Sequence, residues 1–293
     1  MAKTIHVVIN PGSGQPQPVL HTLNRVFRAA KVDWDISLTR QNGDAEKYAR
    51  QAAASGVDVV AAYGGDGTVM EVARGVLGSQ SCLAILPGGT ANLMSVELGI
   101  PKDLAKAASI AASSNSQVRQ IDMGKIGETY FLLRVGLGFA ARKVKIADRQ
   151  LKDKYGMLAY SISALKALSQ SQPAHYHITM DGQKIEAQGL TCLVDNAGNM
   201  GVAGFSAAHN ISVSDGLLDV ILVRNAGFRS WVAMGENLAN ATPDPDSFHH
   251  WQAREITIEV DPEQPVQVDG EMAGSTPVTI NVIPQAVRVL VGE

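Results

Sequence analysis

The stretch Gly64-Gly65-Asp66-Gly67-Thr68 follows directly on the apolar run Val57-Asp58-Val59-Val60-Ala61-Ala62-Tyr63 and is itself followed by Val69-Met70-Glu71-Val72-Ala73-Arg74. A β-branched run of that length predicts a buried strand, and glycines straight after it let the backbone turn tightly and approach a ligand closely. Good helix formers then resume, with Thr68 as the candidate N-cap. Strand, glycine turn and helix start together make an anion site, because free N–H groups and the positive end of the helix dipole favour phosphate oxygens. Asp66 can meet a phosphate there only through a cation or a charged partner, and the pattern predicts Mg²⁺ with a nucleotide. The plain alternative is a Gly-rich βα turn with a solvated Asp.

The same strand-to-glycine junction recurs twice. Ile5 to Ile9 runs into Asn10-Pro11-Gly12-Ser13-Gly14, and Cys82 to Leu86 runs into Pro87-Gly88-Gly89-Thr90-Ala91-Asn92. Between these strands, helical spacing covers Val19 to Lys31, an extended segment covers Trp34 to Thr39, and Asp44 can cap a helix reaching about Ser55. A short helix after Asn92 and another from about Asp103 to Ala112 complete an alternation that implies a doubly wound α/β domain, whose ligand crevice lies beyond the strand C-termini.

The pattern then changes to strands. Val118 to Lys125 and Thr129 to Val135 read as an antiparallel pair, and His175 to Met180 with Lys184 to Val194 as a hairpin about Asp181-Gly182. Leu217–Val223, Glu255–Val260, Val266–Val268, Val278–Ile283 and Val287–Val291 are further expected strands. Helical intervals are expected at Ala140–Ser169 and Ser230–Ala241. The reading is a nucleotide-binding α/β domain over 1–122 and a mainly β, sandwich-like domain over 123–285, with the last strand, 286–293, a candidate to return to the first domain.

At 293 residues, 45% hydrophobic and 18% charged, the chain has room for two such cores, and a formal net charge of −3 excludes a nucleic-acid coat. Cys82 and Cys192 lie far apart in apolar runs, which predicts buried thiols in a reducing cytoplasm. No run approaches the roughly 20 apolar residues that span a bilayer, and the N-terminus is too short and broken for a signal-peptide core. His249-His250 has no third ligand at a recognisable spacing and reads as a solvated loop.

Taken together, the three glycine loops and the downstream Asp215-Gly216-Leu217-Leu218-Asp219 resemble the diacylglycerol kinase/sphingosine kinase family, most closely its compact bacterial lipid kinases. The resemblance covers nearly the whole chain. It implies a cleft between the two domains and ATP-dependent phosphorylation of a lipid hydroxyl, with ATP held by Asn10, Pro11, Gly12, Ser13, Gly14, Thr39, Gly65, Asp66, Gly67, Thr68, Val69, Met70, Glu71 and Thr90. Asp66 would join a water-bridged Mg²⁺ network, with Asp122 a second candidate or an ordinary turn residue. The resemblance makes Asp269, in Val268-Asp269-Gly270-Glu271, the catalytic base and Glu271 a candidate helper. It also implies a second, structural Mg²⁺ on Asp215 with the backbone carbonyls of Ser212 and Leu217.

Two departures stand out. Gln15-Pro16-Gln17 replaces the basic residue that often follows the first loop, so phosphate neutralisation falls to Arg40 or Lys154, and Ala140 stands where many relatives are acidic. Six basic residues, Arg142, Lys143, Lys145, Arg149, Lys152 and Lys154, form either a solvated face or an edge for anionic headgroups, placing a lipid substrate at the inner membrane surface. An NAD kinase or phosphofructokinase shares the Gly-Gly-Asp-Gly-Thr type of loop. The absence of an Asn-Glu or Asn-Asp pair counts against the first, and the joint presence of Asp66, Asp215 and Asp269 counts against a catalytically inactive regulator.

Overall fold

The computed structural model describes residues 3–14, 17–138, 172–198, 211–224 and 248–292. The expected helices at 140–169 and 230–241, the basic cluster at 142–154, Ala140, and Gln15 and Pro16 lie outside them. The chain divides into two compact units, one of Met1–Asp122 with Gln285–Glu293 and one of Met123–Pro284.

In the first unit, β1 (Thr4–Ile9), β2 (Asp33–Leu38), β3 (Val59–Gly64) and β4 (Cys82–Pro87) form a parallel sheet in the order β2-β1-β3-β4. The two central strands show why it forms: β3 and β4 are buried at every position, which suits a layer covered on both faces. The helices α1 (Val19–Ala29), α2 (Asp44–Ala54), α3 (Asp66–Val76), α4 (Leu93–Glu97) and α5 (Leu104–Ala112) provide that cover, with α2 packed on α3 and α1 on α5. In α3 the apolar stripe Val69, Met70, Val72, Ala73 and Val76 is buried. This is the expected doubly wound α/β architecture, and its strand C-termini carry all three glycine loops.

Two cap assignments change. Gly65, not Thr68, is the N-cap of α3, and Thr68 lies inside the first turn with its Oγ1 accepting from Asn10 Nδ2 at 3.1 Å. Gly43, not Asp44, caps α2. Asp44 Oδ2 instead accepts from the Arg40 and Gln41 amides at 2.9 and 3.2 Å, while the Ala45 amide is satisfied by Glu71 Oε2 at 3.0 Å. A short carboxylate at the first helical position reaches back to the loop more readily than forward to its own turn. At α5 the expected cap is found, Asp103 accepting from the Lys106 amide.

β5 (Gln117–Ile126) carries the chain from the first unit to the second, and β16 (Val278–Val291) carries it back. The expected strands 278–283 and 287–291 are thus one strand with an irregularity at Gln285, whose φ is +52°. The fully buried Asp122 accepts the Gln285 amide at 2.7 Å, which accounts for a carboxylate in that position. The far end of β16 joins the first sheet, Val289 pairing with Leu83 of β4 in parallel.

The second unit is a sandwich. One layer contains β8 (Ala174–Met180), β9 (Gln183–Gly189), β13 (Glu255–Asp261) and the start of β16. The other runs in the order β12 (Phe248–Ala253), β11 (Leu218–Val223), β10 (Thr191–Asp195), β7 (Arg134–Gly138), β14 (Pro265–Val268) and β15 (Glu271–Ser275). Tyr176, Ile178, Ile256 and Ile280 from the first layer share a core with Val135, Leu137, Val194, Val220 and Val266 from the second.

Two strands expected to be single are divided between partners. Thr129 to Val135 becomes β6 (Thr129–Phe131), paired with β5, and β7, paired with β10 and β14. The break falls at Leu132 and Leu133 because their amides are taken by the Asp269 carboxylate. Lys184 to Val194 divides at Leu190, whose amide donates to Val223 O and starts β10 in the other layer. β12 and β15 were not expected from the sequence. His249-His250 therefore lies in a half-buried strand, not in a solvated loop.

Candidate active site

At the C-terminal end of the first unit's sheet, Asn10, Pro11, Gly12, Thr39, Thr68 and Glu71 line one cavity of about 220 Å³ with Arg40, Gln41, Asn42 and Ala45. The sequence names Arg40 as a candidate for phosphate neutralisation, and this cavity holds it. Asn10 organises the wall: its Oδ1 accepts the Gly12 amide at 3.0 Å while its Nδ2 reaches Thr68. Ser13 and Gly14 line a neighbouring cavity of about 600 Å³ with Ile9, Gln17 and Tyr63.

The other expected nucleotide residues lie apart from the 220 Å³ cavity. Val69 and Met70 belong to the buried stripe of α3, and the Val69 amide is spent on Gly65 O. Thr90 is exposed. Gly65 and Gly67 form the α3 entrance, where no side chain caps the first turn, so amides remain for an anion.

The glycine loops are locked on one another. A Cβ on Gly89 would stand 2.5 Å from Gly65 Cα, and one on Gly14, where φ is +79°, would stand 1.9 Å from Gly88 O. Asn92 closes the third loop by accepting from the Gly89 amide at 2.9 Å and donating to its carbonyl at 2.7 Å. Asp66 Oδ1 accepts the Met94 amide at 3.4 Å. Burial lifts the Asp66 carboxyl above its ordinary range, against the pull of the amides at the start of α4.

In the second unit, Asp269 follows β14 with φ at +45°. Its Oδ1 accepts from the Leu133 and Arg134 amides at 3.0 and 2.8 Å, its Oδ2 from the Leu132 amide at 2.9 Å, and its own amide donates to Arg134 O at 3.0 Å. A carboxylate offers about four lone-pair sites, so the amides leave one, on Oδ2, to accept a proton. Burial pushes the carboxyl up to about 6 although the three amides and the Arg134 charge draw it down. Near neutral pH it is therefore ionised and basic, as a proton acceptor requires. Glu271, the candidate helper, is exposed on β15.

The Asp215 loop leads into β11. Leu217 N donates to the exposed Asp215 Oδ1 at 3.0 Å, and Ser214 N to Ser212 Oγ at 3.3 Å. One carboxylate and two backbone carbonyls are oxygen donors that suit a hard cation completing its shell with water. Among the described residues no group of three or more His, Cys, Asp or Glu could hold a metal ion.

Sequence reasoning missed a row of polar residues that leads away from Asp269: the half-buried Arg134 and His250 and the buried Asp195, Asn196 and Asp219. The available signal was a single carboxylate in an otherwise apolar strand, as in Leu193-Val194-Asp195 and Leu218-Asp219-Val220.

The arrangement has known counterparts. Residues 4–126 match the diacylglycerol kinase catalytic domain, and residues 134–291 match the YegS C-terminal NAD kinase beta sandwich-like domain. The chain is 28% identical to the diacylglycerol kinase of Bacillus subtilis over 94% of its own length and 92% of the relative's. It is also similar to a crystal structure of a diacylglycerol kinase from Bacillus anthracis strain Sterne, with 28% identity, a TM-score of 0.76, and 99% and 97% of the two chains covered. A second crystal structure from that organism reaches 31% identity and a TM-score of 0.83 with the same coverage. With both units matched in order along the chain, the protein belongs to the diacylglycerol kinase family.

Proposed function

We propose that the protein is an ATP-dependent lipid kinase that transfers the γ-phosphate to the hydroxyl of a diacylglycerol-like lipid. The observation that carries this reading is Asp269, an ionised carboxylate held by backbone amides with one acceptor position left on Oδ2. Phosphoryl transfer needs positioning, charge neutralisation and one carboxylate that orients the attacking hydroxyl and takes its proton. The hydroxyl oxygen forms the new bond to the γ-phosphorus as the bond to the bridging oxygen breaks and ADP leaves. Asn10, Thr39, Thr68 and Arg40 supply donors around the phosphates, and the Gly65–Gly67 entrance of α3 supplies amides.

Bound Mg²⁺ would neutralise phosphate charge. Asp66 would hold it through water, and Asp215 with the Ser212 and Leu217 carbonyls would hold a second ion that pins the loop before β11. Among the described residues no helix is long and apolar enough to cross a membrane. A lipid acceptor is then met at a membrane or micelle surface, where the 142–154 basic residues would favour anionic headgroups.

The test is incubation of the purified protein with γ-labelled ATP and diacylglycerol, sphingoid base, phosphatidylglycerol or NAD. Label in a lipid phosphate supports the reading. Label in NAD, or none in any acceptor, overturns it. For the loop ion, Asp215→Asn is expected to lower the melting temperature in Mg²⁺ and abolish the rise that Mg²⁺ gives the parent, because a ligand that binds only the native state stabilises it by mass action. Parallel melting curves at every Mg²⁺ concentration would remove the metal from that loop.

A further inference from the structure

The three residues whose amides hold Asp269 are themselves held from the next strand. Asn196 Nδ2 donates to Leu132 O at 2.8 Å, and the Asn196 and Ala197 amides donate to Leu133 O at 2.8 and 3.2 Å. Arg134 directs its guanidinium the same way: Nη2 donates to Ala197 O at 3.3 Å, and Nε lies 3.5 Å from Asp195 Oδ1. Strand register sets Asp195 opposite Arg134 on one side and Asp219 on the other, and Asp219 Oδ1 pairs with His250 Nε2 at 2.5 Å. A polar row thus crosses β12, β11, β10 and β7 and ends on Asp269.

Nothing in the packing calls for this row. Asp195 is fully buried, and neither of its oxygens has a hydrogen-bond partner, so its compensation is the ion pair with Arg134. A buried ion pair is weak evidence for stability, since apolar residues of similar volume commonly serve a sheet as well or better. An arrangement that adds little to the fold and abuts a proton acceptor is accounted for by its effect on that acceptor.

We propose that Arg134 and Asp195 are positioning residues for Asp269, the guanidinium supplying the positive charge that keeps the base ionised and Asp195 orienting that guanidinium while offsetting part of its charge. The proposal rests on the reading of Asp269 as the base. Among the described residues, the charged and titratable groups near Asp269 and along the row are Arg134 on β7, Asp195 on β10, Asp219 on β11, His250 on β12 and Glu271 on its own hairpin. Arg134 favours the ionised base. Asp195 opposes it, and burial, opposed by Arg134, pushes the Asp195 carboxyl itself up to about 6. The limb that a pH profile reports here belongs to the coupled carboxylates together.

The experiment is the pH dependence of kcat/KM for lipid phosphorylation by the full chain, with kcat and KM separated and folding checked by thermal melts. The parent is expected to lose activity below an acid limb near 6, and Asp269→Asn to lose that limb. Arg134→Met is expected to move the limb up by at least about half a unit and to lower kcat with KM for ATP within about twofold, and Arg134→Lys to restore most of the shift. Asp195→Asn is expected to move the limb down. Opposite movements from the two halves of one ion pair are what a merely structural role cannot produce. A parent limb near 6 that stays fixed in the folded Asp195→Asn variant, and in Arg134→Met where that variant folds, overturns the proposal and leaves the base in place. A parent with no such limb overturns both.

Discussion

Asp269→Asn is expected to lower lipid phosphorylation by about 10²–10⁴-fold while ATP affinity stays within about twofold of the parent. The amide side chain keeps the size and can still accept the Leu133 and Arg134 amides, but it turns an N–H₂ toward the Leu132 amide and has no basic lone pair. One unsatisfied buried donor costs about 1–3 kcal/mol, and removing a buried charge offsets part of that, so the melting temperature should move little.

The pH dependence has a worked sign. The carboxyl lies at about 6 in the folded protein against an ordinary 3.8, so the folded state binds the extra proton between those values. Its contribution to stability is therefore largest at low pH and is lost as pH rises toward 6, whereas activity rises over the same window as the base ionises. Asp269→Asn should remove both dependences at once. Turnover above about a tenth of the parent's in that variant would assign the proton to another group.

The second large effect is expected where the glycine loops meet. Gly89→Ala places a Cβ 2.5 Å from Gly65 Cα and 3.3 Å from Gly65 N, backbone atoms that can yield only by parting two loops. Overpacking of this kind costs about 1–3 kcal/mol, and the displaced Gly65 no longer presents the α3 entrance, so ATP affinity should fall by more than about tenfold. Gly65→Ala is the contrast: its Cβ meets Gly89 Cα at 3.6 Å, an ordinary contact, and φ is −86°. That variant should melt like the parent, and Gly65→Val should abolish measurable ATP binding by crowding the phosphate. Calorimetry decides it. Parent-like ATP affinity in Gly65→Val would put the phosphates elsewhere.

Much of the fold is legible in the chain because its causes are local. A strand buried on both faces, such as Val59 to Gly64, is a continuous apolar run, and a helix such as Asp66 to Val76 shows its buried stripe at Val69, Val72, Ala73 and Val76. Glycines at the ends of β1, β3 and β4 mark where backbone turns at the C-terminal edge of the sheet, so the doubly wound architecture, and with it the gathering of the three loops at that edge, follows from local pattern. Where the reading failed, the deciding partner was distant. Leu132 and Leu133 look like strand interior, and they are not, because Asp269 takes their amides across more than 130 positions. His250 looks like a loop residue until Asp219 is brought against it.

Asp269, the proposed base, shows the division. That residue 269 is an Asp in a Val-Asp-Gly-Glu turn is written in the chain, and such a turn is ordinary. That its Oδ2 keeps one open lone pair, that burial lifts its proton affinity, and that Arg134 and Asp195 bear on it are consequences of strand register between β7, β10 and β14. Periodicity and turn chemistry report what a residue does with its neighbours along the chain. Proton affinity depends on which charges, amides and apolar atoms lie within a few ångströms, and only the folded sheet brings them there.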